Sequence, residues 1–164
     1  MTKVTFKKIE NKGKPKIIKF NGKGKLTYSN GDEYVGFFKN GKRDGIGTKT
    51  YSHGDKYIGR WKNGKIEGKG TGYFSNGDIY IGMWKNGKPE GKGTLIRINR
   101  DKFEGMWKNN KPEGKGTIIL SNGDKYVGIW KNGRLEGKWN KCGTNTDYNL
   151  AFLCDAALQG LHEI

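Results

Sequence analysis

The chain has 164 residues, of which 32% are hydrophobic and 28 are glycine, so a single large hydrophobic core is not expected. A thin repeat structure needs less core, because each unit contacts only its neighbours. Lysine and arginine number 32 against 16 acidic residues, which gives a formal net charge of +16. This charge favours anionic partners, whether lipid headgroups, nucleic acid or acidic proteins, but does not choose among them.

The sequence also limits the compartment and the kinds of site that we expect. The N-terminal residues lack the apolar region of a secretory signal, and no window approaches the roughly 18 apolar residues of a membrane span. Cys142 and Cys154 are too few for a disulfide scaffold or a four-ligand zinc site. We therefore expect two free thiols and a cytoplasmic protein, with peripheral attachment to a membrane or the cytoskeleton as an extension of that expectation.

Residues 1–21 are a basic N-terminal segment that we predict to be a capping strand. The chain from Asn11 onward already matches the second half of the repeat described next, through Gly22, Gly24 and Tyr28. The first half of that unit is degenerate, because Asn11 and Pro15 stand where aromatic residues are expected.

The chain then repeats a 23-residue unit. Each unit starts at an aromatic residue two positions before a glycine: Tyr34, Tyr57, Tyr80, Phe103 and Tyr126. The unit reads Y-x-G-x-W-K-N-G-K-x-E-G-K-G-T, then three variable residues, then S-N-G-D-x. It breaks off at Gly137, because Trp139 replaces the second paired glycine. A fixed period of this length indicates a repeat architecture, which we place at residues 22–139.

Each unit contains two turn signals. The Asn-Gly pair in K-N-G-K is the strongest short-range hairpin signal, because both residues tolerate the positive φ of a type I′ turn. S-N-G-D is the second signal, and the segments between the turns are rich in Tyr, Val, Ile, Trp and Thr. Each unit therefore predicts two antiparallel strands, and the whole chain predicts an all-β meander sheet.

The odd length of the unit constrains the turns. Side chains alternate between the two faces of a strand, so two turns of two residues would require an even period. We therefore assign a three-residue loop with a glycine bulge to S-N-G. Positions 1, 3, 5, 10, 12, 14, 16 and 18 of each unit then share one face. In this register Gly82 lies opposite Gly91 of its own unit and Gly70 of the preceding one.

Glycines form rows across this face and leave grooves in which aromatic rings can lie flat. The rings at positions 1 and 5 form an aromatic ladder: Tyr57, Trp61, Tyr80, Trp84, Phe103, Trp107, Tyr126 and Trp130. A ring that buries about 150–250 Å² outweighs the roughly 0.5–1 kcal/mol that a strand glycine costs. We interpret the ladder as a core, and the alternative is a row of open rings that stack on sugars or bases.

Basic residues flank every Asn-Gly turn, and all of these turns lie on one long edge of the predicted sheet, about 10 Å apart. They are Lys39, Lys42, Lys62, Lys65, Lys85, Lys88, Lys108, Lys111, Lys131 and Arg134. The opposite edge carries Asp32, Asp55, Asp78, Asp101 and Asp124. The pattern predicts a ribbon with one basic side, which serves either solubility or the binding of an anionic surface.

Residues 140–164 form a C-terminal tail of different composition. From Cys142 onward there is no Lys or Arg, and the acidic residues are Asp147, Asp155 and Glu163. We predict a helix with Thr146 as its N-cap and an apolar stripe at helical spacing: Leu150, Leu153, Ala157, Leu161 and Ile164.

We expect this helix to dock on the second face of the sheet. That face is polar in the early repeats, with Thr27, Thr50 and Arg60. It is apolar in the late repeats, with Ile81, Met83, Ile96, Met106, Ile119, Val127 and Ile129. The alternative is an autonomous helix that serves a partner or a dimer mate.

The stretches YIGMWKNGKPEGKGT (80–94) and FEGMWKNNKPEGKGT (103–117) make the unit recognisable, because it resembles the MORN (membrane occupation and recognition nexus) repeat. The departures are Phe38 in place of Trp, Asn110 in place of Gly, and I-N-R-D (98–101) in place of S-N-G-D. The resemblance implies an elongated, twisted antiparallel sheet that acts as an interaction module. It also implies roles in binding anionic lipids, binding proteins or self-association.

The sequence offers little for catalysis. No Ser/His/Asp or Cys/His set, carboxylate cleft or metal cluster stands out, and His53 takes the place of an asparagine in a turn. We therefore expect no enzyme, no cofactor and no metal site.

We expect a non-catalytic repeat scaffold that binds a protein partner. The alternative is a peripheral membrane module that binds anionic phospholipids through its lysine-rich edge. A homodimer is a further option, whereas nucleic acid is not expected, because no helix or RNP-like aromatic motif accompanies the charge.

Overall fold

The computed structural model describes the backbone of residues 20–142 and the side chains of residues 20–137. These residues fold into one 11-stranded, unclosed antiparallel sheet in which each strand pairs with its neighbours in sequence. The strands are β1 (Gly22–Thr27), β2 (Glu33–Lys39), β3 (Lys42–Thr50), β4 (Lys56–Lys62), β5 (Lys65–Tyr73), β6 (Ile79–Lys85), β7 (Lys88–Ile96), β8 (Lys102–Lys108), β9 (Lys111–Ile119), β10 (Lys125–Lys131) and β11 (Arg134–Cys142). The predicted all-β meander is confirmed.

Two predictions lie outside the described residues. The capping strand predicted within residues 1–21 falls almost wholly on residues 1–19, and the C-terminal helix falls on residues beyond 142. Their expected structures therefore stay predictions.

Two kinds of turn alternate along the meander. In K-N-G-K, Lys85 pairs with Lys88 across Asn86 and Gly87, whose φ angles are 52° and 84°, as a type I′ turn requires. In S-N-G-D, the Phe74 N–H donates to the Asp78 carbonyl at 2.9 Å and encloses a three-residue loop. The three-residue loop that the odd period required is therefore present.

In each hairpin closed by a two-residue turn, the register differs from the prediction by two residues beyond a bulge. Gly82 lies opposite Gly70, as predicted, but its partner within its own unit is Gly93 rather than Gly91. A bulge inserts two extra residues into β7, and Gly91, with φ of 88°, lies in it opposite Trp107 of the next repeat. Two extra residues preserve the alternation of side chains, so the predicted division into two faces still holds.

The core of the sheet is built from rings that lie on glycines. A Cβ atom at Gly70 would come within 2.2 Å of the Tyr57 hydroxyl oxygen, and one at Gly59 within 2.4 Å. The tyrosine hydroxyl donates to the Arg60 carbonyl at 3.2 Å, so its polar end is satisfied although the ring is buried. The Trp61 indole N–H donates to the Gly47 carbonyl of the preceding repeat at 3.2 Å.

These rings form one continuous edge-to-face stack. The Tyr80 ring meets Trp84 of its own repeat and Trp107 of the next, with ring centroids 5.1 Å apart in both pairs. Every ring of the aromatic ladder is buried: Tyr57, Trp61, Tyr80, Trp84, Phe103, Trp107, Tyr126 and Trp130. The structure thus favours the core interpretation over a row of open rings.

Both turns that depart from the repeat still form. Asn110 and Arg100 take the glycine positions with φ angles of 68° and 71°, and the Arg100 N–H donates to the Arg97 carbonyl at 2.8 Å. Asparagine tolerates the left-handed region, whereas arginine is strained there. The departure at Arg100 therefore costs stability without changing the fold.

Replacing Trp84 with alanine is expected to lower the free energy of unfolding by about 3–5 kcal/mol. The change leaves a cavity between two tyrosine rings and removes the indole hydrogen bond to the Gly70 carbonyl. Denaturant unfolding measures the loss. Tyr73, whose ring lies on the other face and is 39% exposed, provides the control, and Tyr73→Ala should cost far less. Equal losses for the two variants would contradict a core role for the ladder.

Replacing Arg100 with glycine is expected to raise the free energy of unfolding by about 0.5–1 kcal/mol. Relief of the left-handed strain, about 1–2 kcal/mol, exceeds the entropy that glycine adds to the unfolded chain, about 0.5–1 kcal/mol. Arg100→Ala removes the same charge but keeps the strain, and it should give no gain. Thermal melts of both variants test this, and a gain for alanine equal to that for glycine would assign the effect to charge.

Candidate functional site

The meander brings all the two-residue turns that join β2 to β3, β4 to β5, β6 to β7, β8 to β9 and β10 to β11 to one edge of the sheet, which we call the lysine edge. Its basic residues are Lys39, Lys42, Lys62, Lys65, Lys85, Lys88, Lys108, Lys111, Lys131 and Arg134. The two cations of each turn are directly opposed across the strands, as in the pairs Lys62 with Lys65 and Lys85 with Lys88. Like charges in opposed positions repel one another, so each hairpin carries a small electrostatic cost.

Carboxylates on the lysine edge join consecutive turns, and sequence reasoning overlooked them. Asp44 accepts the backbone N–H of Asn63 at 3.1 Å, and Glu90 accepts that of Asn109 at 2.8 Å. Glu67 and Glu113 make the same contact with the next turn. The signal was the recurrent glutamate of K-x-E-G, and the acidic groups offset only part of the positive charge.

The aspartates of the opposite edge lie in the second kind of turn, S-N-G-D, and three of them are not exposed. Asp32, Asp55 and Asp78 are buried. The Asp55 carboxylate accepts the Ser75 backbone N–H at 2.8 Å, and the Asp78 carboxylate accepts that of Ile98 at 3.1 Å. These aspartates tie each repeat to the next, so the polarity of the ribbon comes from its lysines and not from a free acidic edge.

The environments of these aspartates lower their pKa values. The Ser52 backbone N–H, followed by the Lys49 ammonium at 2.9 Å, holds the pKa of Asp32 at about 2. Burial alone would raise the pKa of Asp55, but the Ser75 N–H and the His53 ring outweigh it and lower that pKa. His53 lies in the turn, as predicted, with its Nε2 atom 3.1 Å from the Asp55 carboxylate.

Burial acts in the other direction on the tyrosines of the ladder. It raises the pKa of Tyr34 to about 12, although the nearby Arg43 guanidinium opposes the shift. The pKa values of Tyr57 and Tyr80 are also raised by burial. These hydroxyls therefore stay protonated at neutral pH, as their donated hydrogen bonds require.

The face opposite the ladder, which we call the second face, exposes both apolar and basic side chains. Lys69 lies beside Met83, Lys92 beside Met106, and Lys115 beside Ile129. Exposed apolar residues also occur in the early repeats, so the expectation of a polar early face was wrong: Val35, Phe37, Ile46 and Ile58. Exposed apolar side chains that lie together are typical of interaction surfaces. The lysines of this face were missed, although their alternation with the glycines of G-K-G placed them there.

The described residues offer no group of three or more His, Cys, Asp or Glu side chains suited to a metal ion. Between residues 20 and 142 no helix is long and apolar enough to cross a membrane.

Comparison with known protein families identifies the 23-residue repeat. The model of the MORN repeat matches six consecutive segments: residues 19–33, 34–56, 57–79, 80–102, 103–125 and 126–138. The chain belongs to the MORN-repeat family. From the second segment onward, the match begins its units at the aromatic residues that start the 23-residue period. MORN repeats are generally interaction or scaffold modules. No curated protein matches the chain.

Replacing Asp32 with asparagine is expected to lower stability at pH 7 and to flatten its dependence on pH. The folded pKa of about 2 lies below the ordinary value of 3.8, so the aspartate stabilises the MORN sheet above about pH 4. That contribution, roughly 2 kcal/mol, is lost as the pH falls through the folded pKa. As the pH is lowered from 5 to 2, the free energy of unfolding should therefore fall more steeply for the unchanged protein than for Asp32→Asn.

Glu104→Gln is the control for this experiment, because Glu104 is an exposed carboxylate on the second face. It should keep the steep pH dependence of the unchanged chain. Parallel curves for the unchanged protein and Asp32→Asn would contradict the assigned role of Asp32.

Proposed function

We propose that the chain is a non-catalytic cytoplasmic scaffold that binds a protein partner through its lysine edge and the adjoining second face. The observation that carries this proposal is the set of opposed cation pairs beside exposed apolar side chains. The positive φ angles of the turns come from Asn and Gly, so the geometry of the turn does not dictate lysine at the flanking positions. A bound anionic surface would remove the repulsion within each pair.

The mixture of groups favours a protein with an acidic, amphipathic segment. Exposed Ile81 and Met83 offer apolar contact area, and Lys62 and Lys85 offer charge at the adjoining edge. Equivalent turns recur about 10 Å apart, since two strands separate them. A helix advances by a similar distance every seven residues, so one with a carboxylate at each seventh position would match the edge.

An anionic phospholipid surface is the second candidate. Each lysine near an acidic membrane contributes about 1 kcal/mol, so several turns together would attach the sheet peripherally. The exposed apolar residues of the second face, among them Phe37 and Ile46, could enter the interface below the headgroups. Both candidate functions use the same lysines. They differ in whether an acidic protein or an anionic membrane removes the repulsion between the opposed lysines.

Reversing three lysines of the edge tests both candidates. Lys62→Glu, Lys85→Glu and Lys108→Glu together should abolish binding, because each change places a negative charge in an opposed pair. The control is Lys56→Glu, Lys102→Glu and Lys125→Glu, which makes the same charge change on the same face at the other edge. Both sets are exposed at strand ends, so neither should change stability by more than about 0.5 kcal/mol per residue.

Two binding assays separate the candidates. In a pull-down from the native cell, a protein retained by the unchanged chain and by the control, but lost by the edge variant, supports a protein partner. Flotation with vesicles that contain acidic lipid at physiological salt, lost only by the edge variant, supports the membrane candidate. Equal losses in both variants would show that net charge alone drives binding and would contradict a role for the edge.

A further inference from the structure

The late part of the second face exposes large apolar side chains to solvent in the described sheet. Met83 is 36% exposed, Met106 49% and Ile129 50%. They lie on β6, β8 and β10, on the same side of the sheet. Lys92 and Lys115 on the intervening strands separate them and make the patch basic as well as apolar. An occupant of this patch must be apolar and acidic.

The last 22 residues of the chain, 143–164, have this chemistry. They contain no Lys or Arg, and their acidic residues are Asp147, Asp155 and Glu163. Leucines and other apolar residues recur in them at helical spacing, beginning at Leu150. The segment is therefore complementary to the patch in both charge and hydrophobicity, although the rest of the chain is strongly basic.

The topology places this segment within reach of the patch. β11 pairs with β10 so that Cys142 lies opposite Lys125, at the edge that carries the aspartate turns. A helix over residues 147–164 would be roughly 27 Å long. The five strands from β6 to β10 span roughly 19 Å across the sheet. The segment can therefore cross all of them from the point where the chain leaves β11.

We propose that residues 143–164 lie across the second face from β10 to β6 and cover its apolar patch. The covering itself needs no partner. Its consequence rests on the function proposed above: a partner that uses the second face must first displace this tethered acidic segment. The segment thus acts as an internal competitor for the binding surface.

The oxidation of methionine in the full-length chain tests the covering. The chain has three methionines, of which Met83 and Met106 lie in the patch and Met1 lies far from it in sequence. Hydrogen peroxide treatment followed by peptide mass spectrometry gives a rate for each. The variant Asp147→Lys, Asp155→Lys and Glu163→Lys should oxidise Met83 and Met106 several-fold faster and leave the rate at Met1 unchanged.

Exchanging the charges of the tail and the sheet shows whether faster oxidation of the methionines comes from loss of the covering or from loss of folding. Lys69→Glu, Lys92→Glu and Lys115→Glu alone should also speed oxidation of Met83 and Met106. Combined with the reversed tail, these changes should restore slow oxidation, which an unfolded variant cannot do. Thermal melts of each variant check that the sheet is intact.

Two outcomes would overturn the proposal. The first is equal oxidation rates of Met83 and Met106 in all variants, because the tail then does not cover them. The second is protection that grows with protein concentration and accompanies a dimer in light scattering, because a second copy then covers the patch. Neither outcome bears on the lysine-edge variants, so the failure of this proposal is distinguishable from the failure of the proposed function.

Discussion

The contact between an aromatic ring and two glycines is the constraint on which this sheet depends. A single layer of strands has no second sheet to bury its side chains. Tyr57 resolves this by lying flat over Gly59 and Gly70, in space that a Cβ atom would fill. Its ring then meets Trp61 and Trp84, so the same residue forms the core of one repeat and the junction with the next. A core of this kind grows by one unit at a time.

Because one face is occupied by the ladder, the proposed partner would have to contact the second face and the edges. At both edges, carboxylates such as Asp78 and Glu90 accept backbone N–H groups of the next turn. Their charges therefore serve the stacking of repeats. Lys65 also contacts the next turn, through the Asn86 side chain, but cations outnumber carboxylates on the lysine edge. The edge is therefore basic although the repeat unit contains both signs of charge.

The sequence predicted the strands, both turns and the division into two faces, because each depends on local spacing within 23 residues. It placed Gly82 opposite Gly91 instead of Gly93. A bulge of two residues leaves the alternation of side chains between the faces unchanged, so the bulge cannot be detected from the sequence pattern. The roles of Asp55 and Glu90 were missed for another reason. Their partners, Ser75 and Asn109, lie 20 and 19 residues further along the chain, so only the stacked repeats bring them together.

Solubility alone is a weak explanation for the lysine edge. A soluble turn needs charge, and residues of opposite sign across the strands would supply it while stabilising the hairpin. The chain instead opposes Lys62 to Lys65 and repeats this arrangement in the next hairpins, with Lys85 opposed to Lys88. Each pair accepts a small cost that mixed charges would avoid. An external anionic group between the two ammonium groups would turn that cost into a gain, and at successive turns about 10 Å apart the gains would add. Each like-charge pair thus carries an unfavourable electrostatic free energy in the folded sheet, and an anionic binding partner would reduce it.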